Sequence, residues 1–133
     1  MRLSRLRTAR EILARDIEQA SFEFAVAILR LVREYEANLP RSLADNLVLK
    51  GTGIGAAVAE SQSTHRRRNA LNKMLSARRA CQETEYWLRL IAAADLIDQE
   101  KVAPYLDEVE ALYSTLSTIC AKLRQTLDSE GGK

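Results

Sequence analysis

The sequence has little material for tight turns, because its 133 residues include only five glycines and two prolines. A β-sandwich or β-barrel needs a turn about every ten residues, so this scarcity argues against an all-β fold. No apolar run approaches the roughly 18 residues that a membrane-spanning helix requires. The arginines of the first ten residues are not followed by an apolar stretch before Asp16 and Glu18, so a secretory signal is not expected.

Cysteine and histidine are equally scarce in the sequence. The two cysteines, Cys81 and Cys120, are distant from each other and from His65, the only histidine. A disulfide framework or a zinc site needs several such residues at close spacing, so neither is indicated. Isolated thiols fit the reducing cytoplasm, and we expect a cytoplasmic protein.

The composition is that of one ordinary globular domain. Hydrophobic residues make up 47% and charged residues 29% of the chain, which is unlike the composition of disordered proteins. The formal net charge of +2 conceals an uneven distribution, since residues 1–79 carry +7 and residues 80–133 carry −5. Such a chain can attract a polyanion, and it can equally let copies of itself dock head to tail.

Apolar residues near the start of the chain recur at three- and four-residue steps, which predicts an amphipathic helix. This helix is expected to begin before Asp16 and to end near Leu39, because Pro40 disfavours helical geometry at the preceding residue. Its apolar stripe consists of Phe22, Ala25, Val26, Leu29, Val32 and Tyr35. Ser42 is predicted to cap a second helix, which ends around Ser61. The apolar positions of the second helix are Leu43, Leu47, Ile54 and Val58.

Three glycines, Gly51, Gly53 and Gly55, interrupt the second predicted helix, where each costs about 1 kcal/mol relative to alanine. Glycine amides at a helix start can cradle phosphate, but no β-strand precedes this segment and no P-loop lysine follows it. Gly51 and Gly55 are four residues apart with Ala59 beyond them, so they place small residues along one helix edge. We therefore expect another helix to approach this edge closely.

The second half of the chain carries two further apolar stripes. The third helix is predicted from about Arg66 to Ile97, and residues 98–103 are predicted to connect it to a fourth helix that starts at Pro104. The third stripe contains Leu71, Leu75, Arg78, Cys81, Glu85, Leu88 and Ala92, with Trp87 and Ile91 beside it. The fourth stripe contains Tyr105, Val109, Leu112, Leu116, Ile119, Leu123 and Leu127.

Four helices joined by short links predict an all-α fold, in which the helices pack as an antiparallel up-down four-helix bundle. A single domain is expected over residues 1–133. Within it, a basic N-terminal extension is expected at about residues 1–15 and a disordered tail at about residues 129–133.

The sharpest functional signal is a group of six cations within fourteen positions that contain no acid. This cluster consists of Arg66, Arg67, Arg68, Lys73, Arg78 and Arg79. On a helix the cluster forms a band in which Arg68 and Arg79 point away from Lys73. Such a band can neutralise several phosphates with little sequence preference. The alternative is a solvated helix start whose cations pair with the acidic second half of a neighbouring subunit.

A second basic group lies in the first ten residues and consists of Arg2, Arg5, Arg7 and Arg10. It predicts either a flexible arm that folds onto nucleic acid or an ordinary extension of the first helix. Both groups are candidate nucleic-acid-binding residues.

Catalytic residues are not indicated. His65 lies in a predicted loop, where an exposed structural role outweighs general-base chemistry. Glu60 lacks the Glu-x-x-His pattern of di-iron bundles, so neither a metal site nor a cofactor is predicted. We expect a protein that is not an enzyme.

Several side chains of the third helix are expected to have structural roles. Glu83 is expected to form an ion pair with Arg79, four residues earlier. Tyr86 and Trp87 are adjacent and cannot both face one core. Trp87 is assigned to an interhelical or intersubunit contact in preference to base stacking.

Two motifs, in this order, give the chain a family resemblance. The first is Gly51-Thr52, Ile54-Gly55-Ala56 and Ala59-Glu60 on the second helix. The second is Ala80, Glu83-Thr84 and Tyr86-Trp87-Leu88-Arg89-Leu90-Ile91 on the third helix. From about Ser21 to Leu123 the sequence resembles the bacterial four-helix bundle family known as the 23S rRNA intervening-sequence proteins.

The resemblance implies a small cytoplasmic protein that assembles as a homopentameric, barrel-like ring with a positively charged surface. Related proteins include the accessory variability determinant of diversity-generating retroelements, which binds a reverse transcriptase and its template RNA.

The leading functional prediction is a non-enzymatic homo-oligomeric module that binds nucleic acid, with RNA preferred, through the two basic groups. Oligomerisation multiplies a weak site, because several patches on one ring act at high effective concentration. The alternative is a protein-interaction scaffold that docks a partner such as the reverse transcriptase of a diversity-generating retroelement. No membrane partner is expected.

Overall fold

A computed structural model describes residues 16–131 of the chain, and it is an all-α, up-down four-helix bundle as the sequence predicts. The elements are α1 (Ile17–Glu34), a 3₁₀ turn (Glu36–Asn38), α2 (Arg41–Ser63), α3 (Arg67–Ala93) and α4 (Gln99–Gly131). The predicted basic extension at residues 1–15 and the last two residues lie outside the described part.

Consecutive helices pack against each other, and α1 touches α4 only lightly to close the bundle. Because α1 and α3 are not packed together, they occupy diagonal corners. The up-down order brings the starts of α1 and α3 to the same end of the bundle as the last turns of α2 and α4. We call this the basic end, because Arg66, Arg67 and Arg68 lie there.

The α4 stripe is confirmed, since its apolar side chains from Tyr105 to Ile119 are buried in the core. The predicted α1 stripe is wrong. Phe22 is 62% exposed and Leu29 is 49% exposed. The buried face of α1 consists of Ile17, Ala20, Ser21, Phe24, Ala27, Ile28 and Leu31.

Two glycines of α2 decide which face of α1 turns inward. A Cβ atom added at Gly51 would lie 3.0 Å from the side chain of Ile28, and one at Gly55 would lie 3.2 Å from the backbone carbonyl oxygen of Ser21. These contacts confirm the predicted close approach of another helix. Ala59 is exposed and takes no part in the core.

The glycines of α2 give a matched stability test. A Cβ at Gly53 would meet nothing within 4 Å. Gly53→Ala should therefore stabilise the fold by about 1 kcal/mol, because alanine is the better helix former. Gly55→Ala should destabilise it by about 1 kcal/mol, because the Ser21 carbonyl is backbone and yields little. Thermal unfolding followed by circular dichroism measures both changes, and equal stabilisation by the two substitutions would contradict the close contact.

The end of α1 and the start of α2 differ from the prediction. α1 ends at Glu34, and the chain then forms the 3₁₀ turn and an extended Leu39 before Pro40. Pro40, not Ser42, occupies the cap position of α2, and its carbonyl accepts the amide hydrogen of Ala44. The fixed φ of proline suits this position, so Ser42 lies inside the first turn.

α4 is longer at both ends than predicted. It begins at Gln99, so Pro104 lies inside the helix and not at its start. Proline this near a helix start removes only one intrahelical hydrogen bond, while the earlier start buries Val102 in the core. At the other end α4 continues to Gly131, through three residues of the predicted disordered tail. Within residues 16–131, no helix is long and apolar enough to cross a membrane.

Candidate nucleic-acid interface

The three consecutive arginines mark the basic end. Arg66 has extended backbone immediately before α3, and Arg67 and Arg68 begin the helix. All three side chains are exposed. Arg67 forms an ion pair with Glu130 in the last turn of α4. Because both side chains are about half exposed, such a pair stabilises by only about 0–1 kcal/mol, and a phosphate can replace the carboxylate.

The rest of the predicted cluster diverges around α3, because each residue turns the helix by about 100°. Lys73 points toward α2, where its Nζ lies 3.3 Å from a carboxylate oxygen of Glu60. Arg78 points toward α4, where its guanidinium lies 5.9 Å from the centre of the Tyr113 ring. The six cations therefore do not form one surface.

Arg68 and Arg79 share the outer, solvent-facing side of α3. They are eleven residues apart, which is about three turns and about 16 Å along the helix. Both side chains are exposed. Among the described residues, no ion pair engages Arg66, Arg68 or Arg79. The expected pair between Arg79 and Glu83 is absent there, since Glu83 pairs with Lys50 of α2 at 3.4 Å.

A groove between α3 and α4 opens at the basic end. A cavity of about 590 Å³ is flanked by Arg68, Arg124 and Asp128, and its apolar lining includes Leu75. A second cavity of about 340 Å³ continues it past Arg78. We call the two cavities together the α3–α4 groove. Sequence reasoning missed Arg124, although the antiparallel register of the two helices places the end of α4 beside the start of α3.

Both cysteines are free and buried, and they contribute no exposed nucleophile. Burial raises the pKa of the Cys120 thiol, and the nearby cations Arg78 and Arg124 lower it only in part. Burial also raises the pKa of the Cys81 thiol, with a further contribution from Glu85. Both thiols therefore remain protonated near neutral pH, and the less reactive form predominates.

The other polar candidates fill structural roles. His65 is exposed in the turn between α2 and α3, as predicted. Glu60 serves as the partner of Lys73. Within residues 16–131, no group of three or more His, Cys, Asp or Glu side chains is placed to hold a metal ion.

The N-terminal basic group, Arg2, Arg5, Arg7 and Arg10, lies outside the described residues. The described chain begins with α1 at the basic end, which is also the end where α3 starts. The peptide that carries these arginines is therefore attached at the end where Arg66, Arg67 and Arg68 lie.

An apolar surface covers the outer side of α1, away from the core. Phe22 and Leu29 are its most exposed members, and the half-buried side chains between and beside them are also apolar. We define the α1 apolar face as Phe22, Ala25, Val26, Leu29 and Val32. Contiguous apolar patches of this kind mark protein interaction sites more often than scattered exposed side chains do.

The sequence model of the 23S rRNA-intervening sequence protein family matches residues 15–118. The chain belongs to this family. It is also similar to the protein of a crystal structure at 1.70 Å resolution, described as a protein of unknown function from the S23 ribosomal protein family of Bacteroides thetaiotaomicron. The two chains share 27% sequence identity with a TM-score of 0.73, over 78% of this chain and 97% of that one. No curated protein matches the chain.

Membership of the 23S rRNA-intervening sequence protein family confirms the resemblance drawn from the α2 and α3 motifs. The matched segment contains α1, α2, α3 and about the first two thirds of α4. Family membership establishes the bundle, whereas function has to be argued from the surfaces of this chain.

Proposed function

We propose that this protein is a non-enzymatic, homo-oligomeric module that binds nucleic acid, with RNA preferred, through its basic end and the outer side of α3. One observation carries the proposal. Arg66, Arg68 and Arg79 are exposed, and none of them pairs with an acid among the described residues. Unpaired guanidinium groups bind phosphate without reading the bases.

The remaining cations of the cluster are expected to contribute unequally to phosphate binding. Arg67 joins the site by exchanging Glu130 for a phosphate. Lys73 and Arg78 are weaker contacts, because one must leave Glu60 and the other lies over the Tyr113 ring. The N-terminal arginines remain candidate contacts from the sequence alone, since they lie outside the described residues.

Self-association makes these modest patches effective. The α1 apolar face gives the subunit a surface that gains stability when another copy covers it. Five subunits are the number that the family resemblance implies. Several copies then present their arginines to one polyanion at high effective concentration. Two free thiols are compatible with the reducing cytoplasm that we propose as its location.

The proposal is tested by the salt dependence of RNA binding. Wild-type protein is titrated into a fluorescein-labelled single-stranded RNA of about 15 nucleotides, and anisotropy is followed between about 50 and 200 mM salt. We expect the logarithm of the affinity to fall linearly with the logarithm of the salt concentration. Absence of binding at the lowest salt concentration would overturn the proposed function.

A protein-interaction scaffold is the second candidate function. The α3–α4 groove favours it, since an apolar lining with Leu75 beside Arg68 and Arg124 suits an acidic, amphipathic partner. The relation to retroelement accessory proteins makes a reverse transcriptase the partner of interest. A pull-down with that enzyme as prey, repeated after nuclease treatment, separates a protein contact from one that RNA bridges.

A further inference from the structure

Tyr86 places an aromatic ring in solvent on the outer side of α3. The side chain is 58% exposed, whereas its neighbour Trp87 is half-buried and packs against the core. The two ring centres are 5.2 Å apart and the ring planes cross at 77°. Trp87 therefore supports Tyr86 in an edge-on contact, so less conformational freedom remains to be lost when a ligand meets the tyrosine ring.

Tyr86 lies on the same helix face as the unpaired arginines. It follows Arg68 by 18 residues, which is five turns of an α-helix and about 27 Å. Arg79 lies between them, about three turns from Arg68 and about two turns from Tyr86. Asn72 lies about one turn beyond Arg68 on this side. All four side chains are exposed.

The acids nearest to this face are directed to its two sides. Between Arg68 and Tyr86 the acidic residues of α3 are Glu83 and Glu85. Asp128 of α4 lines the same cavity as Arg68 and Asn72, at the α4 edge of this face. Glu83 is held by Lys50 on the α2 side. Glu85 lines a cavity on the α4 side, beside Cys81. The outer face therefore presents cations, an amide and an aromatic ring to an approaching polyanion, and Asp128 lies at its α4 edge.

Phosphates and bases need different partners, and this face offers both. Guanidinium groups bind phosphate oxygens, and an aromatic ring stacks on a base only when a face of that base is free. The bases inside a duplex are stacked on each other, so they do not present such a face. We propose that a single-stranded segment of nucleic acid lies along the outer face of α3, with phosphates on Arg68 and Arg79 and an unpaired base stacked on Tyr86.

This inference rests on the proposed function and specifies its substrate class. It is compatible with self-association, because α1 and α3 occupy diagonal corners of the bundle. A copy docked on the α1 apolar face meets the corner opposite α3. A closed ring also buries a second surface of each subunit, and the particle mass of the Tyr86 variants tests whether that surface is the outer face of α3. Asn72 can then donate to a base edge or to a phosphate of the same strand.

Trp87 can report binding beside Tyr86, since its ring contacts the Tyr86 ring and it is the only tryptophan in the chain. An unlabelled oligouridine of about 15 nucleotides is titrated into wild-type protein while tryptophan fluorescence is recorded. We expect the single strand to change the Trp87 signal and to bind more tightly than an RNA duplex of equal length. This comparison needs no variant.

Two substitutions at one position then separate the ring from the rest of the side chain. Tyr86→Leu should weaken single-strand binding by about five- to a hundredfold, and Tyr86→Phe should retain it, because phenylalanine keeps the aromatic face. Binding of the duplex should be the same in all three proteins. The particle mass is measured in parallel by light scattering.

The outcomes distinguish this inference from the proposed function. Salt-dependent binding that shows no preference for single strands, or that is unchanged in Tyr86→Leu, overturns the proposed stacking on Tyr86. It does not contradict the proposal that the basic end binds nucleic acid. A particle mass that changes in Tyr86→Leu overturns the stacking too, because the ring then belongs to a subunit interface. No binding of either RNA by the wild type overturns both proposals.

Discussion

Replacing Arg66, Arg67 and Arg68 together by alanine is expected to reduce the affinity for single-stranded RNA on the order of tenfold to a hundredfold at low salt. Each arginine that neutralises a phosphate on a single strand contributes about 0.7 to the slope of log affinity against log salt, so the slope should become shallower by about 2. Anisotropy titrations at four or more salt concentrations give both quantities. An unchanged slope would remove these three residues from the interface.

A second triple variant serves as a matched control. It tests whether RNA affinity depends on the position of the three cations or only on the net charge of the protein. Arg33, Arg41 and Lys101 are exposed cations at the opposite end of the bundle. Replacing these three residues by alanine removes the same charge without touching the basic end. We expect this variant to keep the wild-type particle mass and to bind RNA within a few-fold of the wild type. An equal loss in both triple variants would show that attraction is a property of total charge and not of the basic end.

The second large effect concerns assembly. Phe22→Lys should convert the proposed oligomer into single subunits of 14.9 kDa, because a lysine charge within an apolar contact must be desolvated without a partner. Folding should be unaffected, since Phe22 is 62% exposed in the subunit. Light scattering coupled to size-exclusion chromatography measures the mass, for which we expect five subunits in the wild type.

Gln19→Lys is the control for assembly, because it introduces the same charge at an exposed position of α1 outside the apolar face. It should keep the wild-type mass. Single subunits produced by Phe22→Lys should also bind RNA more weakly than the assembly, since they lose the gain from several linked sites. If Phe22→Lys kept the wild-type mass, copies would not meet through the α1 apolar face.

The sequence predicted α4 well and α1 poorly, for one physical reason. Helical periodicity shows that apolar residues share a face, but it cannot choose between two apolar faces of one helix. α4 has a single such face, from Tyr105 to Leu127. α1 has two, and the choice depends on Gly51 and Gly55 of α2, which admit Ile28 and Ser21. The choice of the buried face therefore depends on the packing of α1 against α2, which the periodicity of α1 alone does not contain.

The exposure of the three consecutive arginines agrees with their predicted place at the start of α3, but the ion pairs around them could not be predicted from the sequence. Arg67 pairs with Glu130, which is 63 residues away in sequence. Glu83 pairs with a lysine of α2 in place of the arginine one turn earlier. The sequence marks Tyr86 only as the neighbour of Trp87, and its exposure follows from the core face that α3 turns inward.

The diagonal arrangement of α1 and α3 has a consequence for how such proteins diversify. Substitutions on one corner leave the chemistry of the other unchanged. Under the two proposals, a lineage can change the ligand that the α3 corner binds without altering the surface through which subunits meet. Mutational drift on the two corners should accordingly be uncorrelated.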